Sequence, residues 1–274
     1  MQVTAMLLAS FFASLNAFYI FVGLIFKIKD LSKQMVFKTK KMEKYSDELI
    51  AYKKIARFAG LWYLILAITS GYSWMFITNI VVAGNPSLTA SNILLSDIQY
   101  IISIICNIIG QISFVFLGMA LYNLLRSINR TQAKLMFSFV LISVPIMFIN
   151  IFLQTGAFLV LKRFNFLNVF TNDQVNSISM LFVNLNIAGV HIVEIFWGLW
   201  LFPLAYLIYK SNFFPKILAI LLVISGLCYI VGSLSSLINP GFYAGIEKLL
   251  SIPEAFGELS MLMWLLVIGI KPKN

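Results

Sequence analysis

The chain has little charge, one histidine and two cysteines, and each of these shortages excludes a class of protein. Only 11% of the 274 residues are charged, whereas soluble domains carry about 25%, so a water-soluble domain is excluded. Catalytic zinc usually needs three protein ligands, which one histidine and the distant Cys106 and Cys228 do not supply. Both cysteines lie within apolar segments and are predicted to pack as small apolar side chains. We therefore predict no metal site.

Sequence motifs of enzymes and cofactor-binding proteins are also missing. No G-x-S-x-G turn accompanies the histidine, so a Ser–His–acid triad has little support. No G-x-G-x-x-G motif or phosphate-binding loop is present, so nothing favours nucleotide chemistry. The last apolar segment contains no lysine that could hold retinal as a Schiff base. The sequence predicts no cofactor and favours a non-enzymatic protein over an enzyme.

Apolar residues are abundant and occur in long, regularly spaced segments. They make up 61% of the chain, and the mean hydropathy is +0.93. A helix needs about 20 apolar residues to cross a bilayer, and seven segments approach or exceed this length. They are residues 5–26, 58–82, 98–124, 135–161, 176–209, 216–238 and 254–270. We predict an all-α, polytopic transmembrane helix bundle with seven spans: a helix at 1–26, a basic linker at 27–57 and a six-helix core at 58–270.

The fifth segment is longer than a bilayer requires. Residues 175–209 would form about 52 Å of helix, whereas the hydrocarbon core is about 30 Å thick. We expect the part before residue 187 either to project beyond the hydrocarbon core or to break away from the helix at Gly189.

The excess of basic residues alternates along the chain. Residues 27–57 hold ten Lys or Arg and four acids, and further basic residues lie in every second gap between apolar segments. The other gaps are close to neutral. This is the positive-inside pattern of membrane proteins, so the net charge of +10 indicates topology and not binding of nucleic acid. We predict a multi-pass protein of the cell membrane, with its N-terminus outside and its C-terminus in the cytoplasm.

The N-terminal segment and the linker each allow two interpretations. Residues 1–4 lack the positive charge of a signal peptide, which favours a retained span, although cleavage near residues 13–17 stays open. In the linker, basic and apolar residues alternate as in a helix that lies on the cytoplasmic leaflet, where anionic lipid headgroups would bind it. A solvated linker fits equally well. The many Ile, Lys, Phe and Asn residues are typical of an AT-rich bacterial genome.

Three ionisable side chains lie clearly within the apolar segments: His191, Glu194 and Glu258. Charges at membrane depth are costly and usually face the bundle interior, so each one supports a functional hypothesis. His191 and Glu194 are three residues apart and therefore share a helix face. Glu254 lies at the edge of the last segment. Because histidine changes charge near neutral pH, a site built on these residues would respond to pH.

The ionisable residues lie in the halves of their segments that are nearer the outer face of the membrane, and several neutral polar residues of the other segments lie in the outer halves as well. They predict, together with the ionisable residues, an outward-opening polar cavity that binds or passes a small polar ligand, ion or proton. The predicted ligand-binding residues are His191, Glu194, Glu258, Asn107, Gln111, Asn150, Gln154 and Asn184.

Two other interpretations compete with this one. Amide and hydroxyl side chains often hydrogen-bond one transmembrane helix to the next, in which case the chain would be a structural or accessory subunit. A membrane-embedded enzyme acting on a lipid or quinone would instead need a nucleophile or a metal beside His191. The sequence leaves all three functions as hypotheses.

Five short motifs occur in a fixed order from residue 56 onward. They are ARFAGLWYL at 56–64, TASNIL at 89–94, LYNLLR at 121–126, FWGLWLFPLAYLIYKS at 196–211 and GELS at 257–260. In their order and spacing the chain resembles a bacterial family of integral membrane proteins, the domain of unknown function 4386, over residues 52–270. The resemblance implies a six-span membrane protein with no assigned activity, and it places Glu258 within a family motif.

Overall fold

The computed structural model describes residues 27, 37–39, 48–162 and 165–271. The chain divides into two compact units, Met1–Ala51 and Tyr52–Asn274. In the first unit, residues 27, 37–39 and 48–51 are helical. The predicted first span at 5–26 and most of the predicted basic linker lie outside the described residues, so both stay predictions.

The described residues form helices and no strands. The helices are α1 (Glu48–Ile80), α2 (Pro86–Leu95), α3 (Asp97–Leu125), α4 (Arg130–Leu161), α5 (Asn172–Lys210), α6 (Lys216–Ile238) and α7 (Pro240–Met263). A 3-10 turn at Asn165–Val169 precedes α5, and a π-helical turn at Trp264–Ile268 continues α7. All the helices except α2 are long and apolar enough to cross a membrane. The chain is a multi-pass, all-α membrane protein, with six candidate spans among the described residues where seven are predicted for the whole chain.

Polar side chains cap the helix starts. At the start of α5 the Thr171 hydroxyl accepts a hydrogen bond from the Gln174 N–H at 3.4 Å, and the Gln174 side chain accepts one from the Thr171 N–H at 2.9 Å. At the start of α4 the Asn129 side chain accepts a hydrogen bond from the Gln132 N–H at 3.0 Å. These contacts satisfy N–H groups that have no partner within the helix, and so they fix where α4 and α5 begin.

The last helix begins earlier than the sequence predicts. α7 starts at Pro240 instead of residue 254, because the Asn239 side chain caps it and proline is favoured at the first helical position. Pro253 lies inside α7 and has no N–H to donate, yet the helix continues past it. The Pro253 carbonyl accepts a hydrogen bond from the Ser225 hydroxyl of α6 at 2.8 Å. The gap that the sequence leaves between the sixth and seventh apolar segments, residues 239–253, is therefore helical from Pro240 onward.

Two further helices, α1 and α5, also differ from the sequence prediction in where they begin or whether they break. α1 begins at Glu48 rather than at residue 58. α5 is unbroken through Gly189 and Pro203, so the alternative of a break at Gly189 is wrong. Its 39 residues measure about 58 Å at 1.5 Å per residue. The first turns of α5 therefore project beyond a hydrocarbon core of about 30 Å.

α5 is central to the packing, since it packs against both α4 and α6. At the crossing of α5 and α6, Gly198 faces Gly226. A Cβ atom added to Gly198 would lie 2.7 Å from the Gly226 carbonyl oxygen, and one added to Gly226 would lie 2.9 Å from the Gly198 carbonyl oxygen. Small residues allow such close approach of membrane helices. α7 packs against α6, and α3 packs against α4.

Most basic residues of the described chain lie at one end of the bundle, where α1, α4 and α6 begin and α3, α5 and α7 end. The Lys271 N–H donates to the Phe213 carbonyl at 3.1 Å, which joins the end of the chain to the α5–α6 loop. The Phe213 ring stacks on Tyr52, with ring centroids 6.1 Å apart. Four basic side chains at this end lie over aromatic rings: Arg126, Lys210, Lys216 and Lys271. At the opposite end, Lys162 pairs with Asp97 at 2.8 Å.

Candidate functional site

α5 presents two polar faces. At 100° per residue, Asn186 lies with Val190 and Val193 on one face, and His191 and Glu194 lie on another face about 100° away. The first face contacts α4, and the second contacts α6 and α7. Six of the eight predicted site residues therefore fall into two groups, one between α3, α4 and α5 and the other between α5, α6 and α7, while Asn184 and Gln111 belong to neither.

The first group centres on Gln154 of α4. Its side-chain N–H donates to the Ser103 hydroxyl at 2.9 Å, and its side-chain oxygen accepts from the Asn107 amide at 3.0 Å. Its backbone carbonyl accepts from the Tyr100 hydroxyl at 3.0 Å. All four side chains are buried. Three polar side chains of α3 thus bind one residue of α4, which is the pattern of hydrogen bonds that hold membrane helices together.

A second contact joins α5 to α4. The Asn186 amide donates to the Asn150 carbonyl at 2.8 Å, and the Asn150 amide donates to the carbonyl of Ile146 one turn away. Gly189 of α5 leaves room for the Asn150 side chain, because a Cβ atom there would lie 1.8 Å from its oxygen. We name these interhelical bonds, with those of Gln154, the amide network.

A narrow recess ends on the amide network. It is lined by Ile77, Val81, Tyr100, Gln154, Val183 and Asn186. Its free space is about that of one water molecule. A larger ligand does not fit there without movement of the helices, so the packing around Gln154 favours a structural role for this group.

Asn184 and Gln111 stand apart from these contacts. Asn184 is exposed, because it lies two turns, about 10 Å, beyond His191 along α5, where α6 has already ended at Ile238. Gln111 is buried, and its side-chain oxygen has no hydrogen-bond partner among residues 48–162 and 165–271. Its neighbour Gly110 faces the Ser70 hydroxyl of α1.

The second group begins with the ion pair of His191 and Glu194. The His191 Nδ1 atom lies 2.8 Å from a Glu194 carboxylate oxygen, and the two side chains are only 7% and 14% exposed. The His191 carbonyl accepts a hydrogen bond from the Ser233 hydroxyl of α6. The Tyr243 ring of α7 stands edge-on to the imidazole, with ring centroids 5.1 Å apart. Contacts from α6 and α7 thus surround the predicted pair on α5.

α7 adds two carboxylates to this pair. Glu254 and Glu258 are four residues apart, so they share the α7 face. A Cβ atom added to Gly232 of α6 would lie 3.8 Å from a Glu254 oxygen, and the next residue, Ser233, contacts His191. One Glu258 oxygen lies 3.5 Å from the Tyr229 hydroxyl of α6. We name Glu194, Glu254 and Glu258 the carboxylate cluster.

The carboxylate cluster has few partners of opposite charge. In the part of the chain that the structure describes, no Lys or Arg forms an ion pair with it, and His191 contacts it through Glu194. No group of three or more His, Cys, Asp or Glu side chains in this part is arranged to hold a metal ion.

The residues of both groups lie within the region of the chain that matches a family model. A family model described as Domain of unknown function (DUF4386) matches residues 58–269. The chain belongs to this family. The suspected resemblance is thereby confirmed. The DUF4386 region contains all or most of each of the six candidate spans and both groups of polar residues. Comparison of the chain with curated proteins and with solved structures finds no match.

Sequence reasoning missed several residues of this DUF4386 protein that the structure places beside the predicted ones. Tyr229 contacts Glu258, and Tyr243 contacts His191. A signal for Tyr229 was present, since Ser225, Tyr229 and Ser233 are spaced by four and share one face of α6. Tyrosines in apolar segments are common enough that spacing alone does not identify them, and the contact with a carboxylate is visible only in three dimensions.

Proposed function

We propose that this DUF4386 protein binds a small cation, a proton included, at the carboxylate cluster between α5, α6 and α7. The observation that carries the proposal is an imbalance of charge. Glu254 and Glu258 lie against α6, beside the His191–Glu194 pair of α5, and among the described residues no Lys or Arg pairs with these three carboxylates. Neither DUF4386 membership nor the fold assigns this function.

The imbalance has a physical consequence in a membrane. Buried charges are costly unless they are paired, and neighbouring carboxylates disfavour each other's ionised form. The cluster is therefore stable only when protons or a bound cation neutralise part of its charge. Glu194 is already in contact with His191 at 2.8 Å, which leaves Glu254 and Glu258 to bind the cation.

Access to the cluster is proposed from the outer face of the cell membrane. The basic ends of the helices favour the cytoplasm for the end where α5 stops, and on this basis the N-terminus is proposed to lie outside if the N-terminal span is retained. His191 and Tyr243 then lie nearest the outside, and Glu258 lies deepest. The basic linker at 27–57 is proposed to bind anionic lipid headgroups on the cytoplasmic leaflet.

Thermal unfolding of the purified protein tests cation binding. Melting temperature is measured at constant pH and ionic strength in sodium, potassium, lithium or choline chloride, and then over a pH series. A cation present at 100 times its Kd stabilises the folded state by about 2.7 kcal/mol. We expect the stabilisation in wild type to be lost in Glu258→Gln and reduced in Glu194→Gln.

Asp97→Asn is the matched control, since it removes a carboxylate that is paired with Lys162 at the outer end of the bundle. This variant should keep the full cation-dependent and pH-dependent shift. A wild-type protein whose melting temperature responds to neither cation nor pH would overturn the proposal. So would variants that unfold more easily but keep the wild-type shift.

A second function, that of a structural or accessory subunit, is favoured by the amide network. Its buried side chains bind one another and leave space only for about one water molecule. If this function is correct, variants of the carboxylate cluster and variants of Gln154 lose stability in the same way, and neither changes a response to ligand.

A further inference from the structure

Three segments of the chain meet at Phe213, in the loop between α5 and α6. The Phe213 carbonyl accepts a hydrogen bond from the Lys271 N–H at 3.1 Å, and the Phe213 ring stacks on Tyr52 of α1 with centroids 6.1 Å apart. Gly269 completes the junction. Its φ of +71°, which favours glycine, turns the chain after α7, and a Cβ atom there would lie 3.9 Å from Cγ of Arg57. These contacts hold the start of α1, the α5–α6 loop and the chain after α7 together.

Each of the three segments carries basic side chains at this junction. They are Arg57 on α1, Lys210 and Lys216 at the two ends of the α5–α6 loop, and Lys271 after α7, and all four are exposed. We name these four residues the basic cradle. The six acidic residues that follow residue 51 lie within α5 and α7 or at the opposite end of the bundle. Among the described residues, no acidic side chain forms an ion pair with the cradle.

Two lysines of the cradle lie over aromatic rings. Nζ of Lys216 is 5.0 Å from the centroid of the Tyr209 ring, and Nζ of Lys271 is 4.9 Å from the centroid of the Trp264 ring. The face of an aromatic ring attracts an ammonium charge but offers no oxygen or nitrogen as acceptor. Each ammonium has three N–H donors, and none of them bonds to an acceptor in the described part of the chain. The cradle thus combines positive charge with donors that an anion rich in oxygen atoms can satisfy.

Exposed apolar side chains lie next to the cradle on the membrane side. They are Phe58 and Leu61 on α1, Ile217 and Ile220 on α6, and Val267 in the π-helical turn. In a bilayer, acyl chains cover such surfaces, and lysine or arginine near a helix end reaches the headgroup region. A molecule that fits both surfaces has an anionic head and apolar tails.

We propose that the basic cradle binds the phosphate group of an anionic phospholipid in the leaflet at this end of the bundle. The phosphate oxygens accept hydrogen bonds from the ammonium groups of Lys216 and Lys271 and from the Arg57 guanidinium, while the acyl chains lie along the apolar surface beside them. Basic pockets between membrane helices bind lipid headgroups in this way. A free phosphate would satisfy the same donors but leave the apolar surface unused, so the lipid is favoured.

The proposal is independent of cation binding at the carboxylate cluster, and it differs from the general attraction of the linker to anionic lipid. That attraction needs only positive charge near the surface. The cradle needs three segments joined at Phe213, so the positions of its charges matter and not only their number.

The start of α4 provides a matched control at the same end of the bundle. Arg130 and Lys134 are exposed basic residues there, and they take no part in the contacts at Phe213. If lipid responds only to net charge, removal of two charges from α4 and removal of two from the cradle have the same effect. If the cradle is a built site, only its own charges matter.

Native mass spectrometry of the full chain in detergent tests the proposal. The first bound lipid is titrated with dioleoyl phosphatidylglycerol, which is anionic, or with dioleoyl phosphatidylcholine, which has the same acyl chains and no net charge. We expect wild type to bind the anionic lipid on the order of tenfold more tightly. Lys216→Gln/Lys271→Gln should remove this preference, at about fivefold for each lysine. Arg130→Gln/Lys134→Gln should stay within about twofold of wild type.

Two further variants separate loss of charge from loss of folding. Lys216→Arg/Lys271→Arg keeps both charges and should keep the preference. Lys271→Gln alone changes one exposed side chain, so it tests the site if the double glutamine variant does not fold, and it should lose about fivefold.

Three results would overturn the lipid site. The first is equal affinity of wild type for the two lipids, and the second is equal loss of affinity in the two double glutamine variants. The third is displacement of phosphatidylglycerol by an equal concentration of soluble glycerophosphoglycerol, because the site would then bind the phosphate without the acyl chains.

Discussion

Replacing Gln154 with leucine tests whether the amide network holds the helices together. The change puts an apolar side chain of similar volume in place of the amide and removes the two side-chain hydrogen bonds to Ser103 and Asn107. Interhelical hydrogen bonds in membranes are worth about 0.6 kcal/mol each on average, so their loss accounts for about 1 kcal/mol. The Asn107 amide is also left buried without its partner, which adds about 1–3 kcal/mol. The Ser103 hydroxyl keeps its bond to the Tyr100 carbonyl at 2.7 Å.

We therefore expect Gln154→Leu to lower the free energy of unfolding by about 2–4 kcal/mol. Reversible unfolding in mixed micelles, with sodium dodecyl sulfate as denaturant, measures it. The double variant Asn107→Leu/Gln154→Leu leaves no unpaired amide, so it should lose less stability than the two single variants together. Asn184→Leu is the control, because Asn184 is exposed and takes no part in the network.

Two results would refute this reasoning. The first is a Gln154→Leu protein within about 0.5 kcal/mol of wild type, which is the range of ordinary surface substitutions. The second is simple addition of the two single losses in the double variant. If Gln154→Leu instead abolishes cation-dependent stabilisation while the protein stays folded, the network belongs to the binding site and the division into two groups is wrong.

The same unfolding assay checks two further predictions. Gly198→Ala should destabilise the protein by about 1–3 kcal/mol, because its Cβ atom would lie 2.7 Å from the Gly226 carbonyl oxygen. Gly71→Ala on α1 has open space around its Cβ atom and should be neutral or stabilising by up to about 1 kcal/mol; equal effects of the two alanines would contradict the close crossing. Lys162→Met breaks an exposed ion pair with Asp97 and should leave stability unchanged, whereas a clear loss would indicate that this pair is shielded from water.

The sequence predicts the membrane helices well because the bilayer imposes a length and a polarity on each. All six apolar segments after residue 57 correspond to candidate spans. Helix ends are predicted less well where a span continues into the polar region. α7 extends back to Pro240 because the break at Asn239 also serves as its cap. Hydropathy does not detect such a start, since the added turns carry Glu247 and Lys248.

The candidate site is predictable in part. The i, i+3 spacing of His191 and Glu194 correctly indicates that they share a face, and they lie 2.8 Å apart. Spacing along one helix does not reveal how far the neighbouring helices extend. For this reason the sequence predicts that Asn184 faces the cavity, whereas in the structure its side chain is exposed. Asn186, which the sequence does not single out, is the α5 residue that contacts Asn150. Partners from other helices, such as Tyr229 and Tyr243, require the packing to be known.

The crossing of Gly198 and Gly226 also has a consequence for the evolution of the DUF4386 family. Each glycine makes room for the carbonyl oxygen of the other, so the two positions constrain each other even though they lie on different helices. A relative with a larger residue at one position needs a wider helix spacing, and that would carry α6 and Tyr229 away from α5. Substitutions at these two sites are therefore expected to occur together among relatives, and to mark lineages in which the neighbouring acidic residues have also changed.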